Sequence, residues 1–383
     1  MRIAVLSAAL SIHTIKWVNA LAGLGHTVAL FSLPDHKAPY SGINSDVNVY
    51  YLKRGGATGY WLGASELKAR LAAFNPDVVS AHYATGYGTL ARRCGFKPIL
   101  LSVWGSDVYD FPNNGHFYKR IVQKNLEAAT AIASTSNAMA RQVEKIYHNE
   151  KKIYITPFGV DTEKFRPMGG ERSEAVTIGI VKALEPKYGV EYLLRAFSLL
   201  NKRLIREGRM PSGGLRLEIY GGGSQLEALR ALAVELGILE QTRFNGHVIH
   251  SKVPEVLSGF DIFCAPSVSD SESFGVAAVE AMACGLPVVV SDVDGFREVV
   301  RDRETGFIVT RRDYVSLSNK LHVLTLDPEL RRRMGEAGRA HVIAHYQWQD
   351  CVAAMEKALE ETAFIETALK KTAAKRKNAV KQL

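Results

Sequence analysis

The sequence predicts two doubly wound α/β domains, and three observations carry that prediction. Its 383 residues exceed what one hydrophobic core usually holds, roughly 150–200 residues. Short apolar, β-rich runs alternate with helical patterns along the chain, as buried parallel strands with crossover helices do. The alternation lapses once, at residues 158–175 (FGVDTEKFRPMGGERSEA), where Gly, Pro and charge collect, and then restarts, as it does across a linker.

In chain order, RIAVL (2–6) reads as a strand, Thr14 to Leu24 as an amphipathic helix stopped by Gly25, and TVALFS (27–32) as the next strand. DVVSAHY (77–83), PILLSVWG (98–105), TAIASTS (130–136) and KIYITP (152–157) continue the series. Beyond the linker, VTIGIV (176–181) opens a second series with LRLEIYG (215–221), TRFNGHV (242–248), DIFCAPS (261–267), LPVVVSD (286–292) and GFIVT (306–310). Helical stretches such as Val190 to Glu207 and Gln225 to Leu236 separate these strands. The domains are therefore placed at 1–168 and 169–346, facing each other across a cleft. Open α/β sheets bind ligands beyond the carboxyl ends of their strands, so functional residues are sought in the loops that follow strands.

Composition narrows the class. Hydrophobic residues make up 47% and charged residues 23%, which excludes a disordered chain, and no apolar run reaches the roughly 18 residues of a membrane-spanning helix. The opening MRIAVLSAAL leads into a helical pattern with no small-residue cleavage site, so it reads as a core strand and the chain as cytoplasmic. Cys94, Cys264, Cys284 and Cys351 form no C-x-x-C pair, the pattern of buried free thiols in a reducing compartment and not of a zinc site or disulfide framework. No metal-binding motif is present. Charge is uneven: 19 − 11 = +8 over residues 1–168, 23 − 27 = −4 over 169–363 and 6 − 1 = +5 over 364–383. Without a recognition module or interleaved aromatics, that excess fits an anionic membrane or lipid-linked substrate better than nucleic acid.

The most informative stretch is SDSESFGVAAVEAMACGLP (269–287). It ends a strand, crosses a polar loop and begins a helix near Phe274 or Gly275, whose free N–H groups and positive dipole end suit an anion. Glu272 precedes the helix and Glu280 lies inside it, so two carboxylates able to accept hydroxyl hydrogen bonds stand beside that anion position. Small residues such as Gly275 and Ala278 leave room for a ligand. Read alone, Glu272 also suits a dipole partner and Glu280 a solvated helix face. In GIVKALEPKYGVEYLLRAF (179–197), Lys182 and Lys187 share the loop after the second domain's first strand, where two cations can converge on a diphosphate. GGGSQLE (221–227) follows the next strand, and its Gly221 and Gly223 allow a close ligand approach; a plain tight turn is the alternative.

These motifs resemble the Glu-x7-Glu signature and basic pair of retaining nucleotide-sugar glycosyltransferases, family 4 (glycosyl transferases group 1), which have the GT-B fold. The resemblance spans roughly residues 2–360 and includes PFGVD (157–161) and Gly295. It implies that Glu272 contacts the donor sugar, that Glu280 holds the donor ribose hydroxyls, and that Lys182, where Arg is usual, and Lys187 bind the diphosphate. Ser273, Phe274, Gly275 and Val276 would face the leaving diphosphate. Gly221 and Gly223 match the family's Gly-x-Gly, and FNGHV (244–248) would lend backbone near Val248 to the nucleobase.

In the first domain, SAALSIHT (7–14) lacks the family's Gly-Gly pair but keeps a downstream histidine, His13. His82 and Tyr83 end another strand and are expected on the acceptor side. WGSD (104–107) resembles the family's His-Gly-Ser/Thr-Asp near the donor sugar; Trp104 stands in the histidine's place, while Gly105, counted on the acceptor side, and Asp107 match. His13 and Asp107 are accordingly counted with Lys182, Lys187 and Glu272 as catalytic. For the histidines a core or surface role is the alternative, and for Asp107 a helix cap.

The resemblance implies a hexosyltransferase that moves a sugar from a nucleotide-sugar substrate, a UDP-sugar first and GDP-mannose second, with retention of configuration. The acceptor would be a glycan or lipid-linked glycan of cell-surface polysaccharide synthesis, with no cofactor or metal. Front-face displacement, the leaving phosphate taking the acceptor proton, would fit, since no carboxylate is assigned as nucleophile. A nucleotide-sugar epimerase of the same fold and a non-catalytic two-lobed sugar-binding protein are the alternatives. A dinucleotide oxidoreductase is disfavoured, because SAALSIH lacks G-x-G-x-x-G. The helix near 347–363 is expected to pack on the first domain, as in proteins of this fold. The basic tail 364–383 is expected to be disordered or a marginal helix in water, and to meet the inner face of an anionic membrane or serve as a solvated tail.

Overall fold

The computed structural model describes residues 1–37, 42–148, 151–169, 174–211 and 213–381, with side chains to 365. It divides into two compact units, Met1–Pro157 with Cys351–Leu383, and Phe158–Asp350.

The first unit is built on β1 (Arg2–Leu6), β2 (Thr27–Ser32), β3 (Asn48–Tyr51), β4 (Val78–His82), β5 (Ile99–Val103), β6 (Ala131–Ser134) and β7 (Ile153–Ile155), in the order β3-β2-β1-β4-β5-β6-β7. Every pairing is parallel. β4, β5 and β6 are buried along their whole length, which is why they read as unbroken apolar runs. β3 is absent from the sequence-based series: NVYY is four residues long at a sheet edge, with no position fully buried.

The second unit holds β8 (Val176–Val181), β9 (Leu215–Tyr220), β10 (Thr242–Gly246), β11 (Ile262–Ala265), β12 (Val288–Ser291) and β13 (Gly306–Val309), in the order β10-β9-β8-β11-β12-β13, again all parallel. Its core collects Ile178, Ile180, Leu217 and Ile219 of β8 and β9 with Leu193, Phe197 and Leu200 of the helix Val190–Glu207. In each sheet the order reverses beside the first strand, at β1/β4 and at β8/β11. Such a switch point opens a crevice at the carboxyl ends.

Two boundaries differ from the sequence reading. The units part at Pro157/Phe158 and not at 168, because the following segment is tied into the second unit. Arg339 donates to the Phe165 carbonyl at 3.0 Å, and the Val160 N–H donates to Tyr346 O at 2.8 Å. At the other end, one helix runs Trp348–Lys381 and joins the first unit from Cys351. There Glu356 meets His26 at 2.8 Å, and Glu361 accepts from the Tyr154 hydroxyl at 2.8 Å. The tail therefore continues this helix in a run rich in the good helix formers Ala and Lys; its side chains beyond 365 lie outside the described residues. All four cysteines are buried.

Candidate active site

In the second unit, the loop after β8 is shaped by pairing with the loop after β9. Lys182 N–H donates to Tyr220 O (2.9 Å), Leu184 N–H to Gly222 O (2.9 Å) and Gln225 N–H to Leu184 O (3.0 Å). Gly221 and Gly223 hold φ of +147° and +157°, and a Cβ on them would lie 1.8 Å from the Lys182 carbonyl oxygen and 2.5 Å from that of Leu184. These glycines permit a close approach between the two loops.

The pairing brings the two lysines together. The Lys182 ammonium lies 4.5 Å and the Lys187 ammonium 5.3 Å from the centroid of the Tyr188 ring, a cation–π partner the sequence reading missed. Lys182 Nζ also pairs with Glu272 Oε2 at 2.5 Å, with the two side chains 21% and 8% exposed. Burial alone would lower the Lys182 pKa; the Glu272 carboxylate, then Tyr188 and Glu280, outweigh it and raise it. The donor-sugar carboxylate and one diphosphate cation of the sequence reading are therefore an ion pair.

Glu272 and Ser273 are buried, as is Phe274. The Phe274 ring packs edge-on against Phe158 (6.2 Å) and Tyr346 (5.5 Å), so its side chain anchors the loop and only its backbone is left to face a ligand. Gly275 adopts φ +82°, where a Cβ would strike the Phe296 ring at 2.6 Å. The helix Val276–Ala283 starts next, with no side-chain cap. Inside it, Glu280 is 6% exposed and Oε1 lies 2.7 Å from Nε2 of His250. His250 sits on the short turn His250–Lys252 after β10, in the same connection as the half-buried Val248. Motif spacing assigns His250 no role, since a lone histidine after a strand carries no spacing signal. The segments after β8, β10 and β11 thus gather Lys182, Lys187, Tyr188, Glu272, Glu280 and His250 around one sheet's carboxyl ends.

In the first unit, Trp104 collects the predicted residues. Its ring lies 5.8 Å from His13, 4.8 Å from His82 and 6.0 Å from Tyr83. Tyr83 has φ +76°, uncommon for a bulky residue, and its hydroxyl lies 2.6 Å from Ser106 Oγ. Two roles change here. Asp107 is 0% exposed and accepts the N–H groups of Ala84 (2.7 Å), Trp104 (3.1 Å) and Gly105 (2.8 Å). Its acceptors are directed at backbone, so it braces the loops after β4 and β5 and does not present a catalytic carboxylate; Gly105 is buried with it. His82 is 2% exposed, and burial pulls its pKa down to about 3. It is a neutral core imidazole beneath Trp104 and not a surface acceptor contact. Tyr83 and His13 remain partly exposed.

A family model described as glycosyl transferases group 1 matches residues 161–341, and one described as glycosyl transferase 4-like matches residues 2–136. GDP-mannose-dependent alpha-(1-6)-phosphatidylinositol monomannoside mannosyltransferase of Mycobacterium tuberculosis is 30% identical over 278 residues, covering 69% of each chain. D-inositol 3-phosphate glycosyltransferase of Corynebacterium jeikeium is 29% identical over 343 residues, covering 78% of this chain and 79% of that one. Among solved structures, sucrose-phosphate synthase from Thermosynechococcus elongatus matches with a TM-score of 0.81 at 19% identity, over 94% of this chain and 98% of that one. Two parallel-sheet α/β domains of this kind define the GT-B class. The chain belongs to the family-4 glycosyltransferases, the glycosyl transferases group 1, and is a glycosyltransferase that uses a nucleotide-sugar donor.

Proposed function

We propose that the enzyme transfers a hexosyl group, with retention of configuration and without a metal, to a glycan or lipid-linked glycan of the cell surface. The observation that carries this reading is the convergence of Lys182, Lys187 and an uncapped helix start beside two buried carboxylates. Cations and N–H groups suit a leaving diphosphate, and carboxylates suit the hydroxyls on either side of it. In the step itself the bond from the anomeric carbon to the diphosphate oxygen breaks. The acceptor oxygen bonds the same face, and the acceptor proton passes to the leaving phosphate. Lys187 and the helix start stabilise the charge that develops. Glu272 orients the sugar and Glu280, held by His250, the ribose. Tyr83 is assigned to the acceptor, and His13, the expected catalytic histidine, shares the Trp104 ring with it.

The sequence reading favours a uridine nucleotide. The mannosyltransferase relative is GDP-mannose-dependent by name, which supports GDP-mannose as the first donor to test. Among the described residues no helix is long and apolar enough to cross a membrane; the basic first domain and tail support peripheral attachment to an anionic cytoplasmic face. The test is thermal shift against UDP-, GDP-, ADP- and dTDP-sugars, then turnover with the stabilising donor and assignment of the product anomer by NMR. A ligand that binds only the native state raises its stability. Absence of any stabilising donor, an inverted product, or an epimerised sugar without transfer would each overturn the reading.

A further inference from the structure

One guanidinium joins three strand-end loops of the second unit. Arg311 follows β13. Its Nη1 donates to Asp270 Oδ2 at 3.0 Å and its Nη2 to Asp270 Oδ1 at 2.9 Å, Asp270 lying in the loop after β11. Its Nε donates to Asp292 Oδ1 at 3.0 Å and its Nη2 also to the Asp292 carbonyl at 3.0 Å, Asp292 lying after β12. The Arg311 backbone N–H adds a bond to Asp292 Oδ1 at 2.9 Å. Asp270 Oδ1 further accepts the Asp294 N–H at 3.1 Å, and Ser291 Oγ donates to the Ser267 carbonyl.

The braced loop is the one that carries Glu272, two residues beyond Asp270. On its other side Gly295 lies so close that a Cβ there would sit 2.2 Å from the Glu272 carbonyl oxygen and 2.6 Å from Phe274 N. We infer that Arg311, acting through Asp270 and Asp292, is a positioning residue that fixes residues 269–275, so that Glu272 and the helix start at Val276 present one geometry to the donor.

Four physical points support this. A bidentate Arg–carboxylate pair fixes direction as well as distance, which a lysine ammonium cannot do. The side chains of Arg311, Asp270 and Asp292 are 29%, 36% and 20% exposed, so the network is less open to screening than a surface pair. Burial alone would raise the pKa of Asp270, but the hydrogen bonds from Arg311 and the Asp294 N–H, with the Arg311 charge, together outweigh it and hold the carboxyl below its ordinary value. The stretch SDSES (269–273) carries no apolar side chain, so ahead of the Phe274 anchor it depends on polar contacts. What the loop binds rests on the proposed function; that Arg311 orders it does not.

The test uses the full chain with Arg311→Met, Arg311→Lys, Asp270→Asn and the double variant Asp270→Asn/Arg311→Met, and Arg332→Ala as a control in a surface ion-pair group. Hydrogen exchange over residues 266–276 is expected to quicken at least tenfold in Arg311→Met and Asp270→Asn while the rest of the second unit stays protected. Because a misplacement of about 1 Å costs on the order of 100-fold, kcat/KM for the donor should fall 10- to 100-fold with the acceptor KM unchanged. Arg311→Lys should be intermediate and the double variant no worse than Arg311→Met. Unchanged exchange in the loop, or a lower melting temperature with unaltered kinetics of the folded fraction, would overturn the inference. If Arg311→Met does not fold, Arg311→Lys and Asp270→Asn decide it. If wild type transfers no sugar, the proposed function falls while the exchange data still settle the clamp.

Discussion

Replacing His82 with Gln is expected to remove a specific part of the enzyme's acid sensitivity. Burial holds the folded imidazole at about 3 against an ordinary 6.5, so between those values the unfolded chain binds a proton that the folded chain does not. A depressed histidine therefore contributes stability that is complete above 6.5 and falls as pH drops toward 3, by about 1.4 kcal/mol per pH unit. From pH 7 to pH 5 the loss from this residue alone is about 2 kcal/mol. The substituted amide does not titrate, yet it can keep the bond to Ser80 Oγ, which lies 3.1 Å from Nε2 of His82. Urea unfolding followed by tryptophan fluorescence is the assay, since Trp17, Trp61 and Trp104 all lie in the first unit. His82→Gln should lose about 2 kcal/mol less than wild type between pH 7 and pH 5. Any constant cost of the substitution cancels in that difference. Equal losses would mean that the folded imidazole titrates normally, and the picture of a sealed His82 beneath Trp104 would fail.

Glu280→Ala should weaken donor binding by about 2–3 kcal/mol, the range for hydrogen bonds to a charged group; an unchanged donor dissociation constant in calorimetry refutes the ribose role. Lys187→Ala should lower kcat by roughly 100-fold or more, and wild-type turnover in that variant, or loss of wild-type turnover in EDTA, would remove the metal-free charge stabilisation. Lys182→Met should cost about 3 kcal/mol of folding stability, because it strands the buried Glu272 carboxylate; denaturant melts at pH 7 would show it, and an unchanged midpoint would contradict the pair. Removing residues 364–383 should weaken sedimentation with anionic vesicles at low salt, each basic residue near the surface being worth about 1 kcal/mol. Equal sedimentation of the full and shortened chains would reject the tail as an anchor.

The central strands are legible in the sequence because burial on both faces leaves a continuous apolar run. β1, β2 and β8 coincide with the runs RIAVL, TVALFS and VTIGIV. β3 is not legible, since its half-exposed NVYY looks like loop. Motif spacing finds the lysines and glutamates, since all of them follow strands, but it does not show what they touch. Glycine at 221 and 223 reads the same whether a ligand or a carbonyl oxygen lies opposite. Asp107 matches a motif in either role, and only its burial against three N–H groups distinguishes a brace from an acid. His250 and Arg311 come from separate strand ends, distant in sequence from the carboxylates they hold, and no local pattern links them.

The ion pair between Lys182 and Glu272 sets what Lys182 can offer an anion. A cation 2.5 Å from a carboxylate has much of its field neutralised at the distance of a second anion, so Lys182 adds less net attraction for a diphosphate than its position suggests. Lys187, also beside Tyr188, and the uncapped start of the helix Val276–Ala283 stand at the same strand ends. Lys182 stands where the family usually has an arginine, and its compact ammonium reaches both the Glu272 carboxylate and the Tyr188 face. In the proposed reaction, negative charge growing on the leaving diphosphate would give Lys182 a second anionic neighbour without taking it from the first. Glu272 would then keep its place beside the sugar while Arg311 braces the loop that carries it.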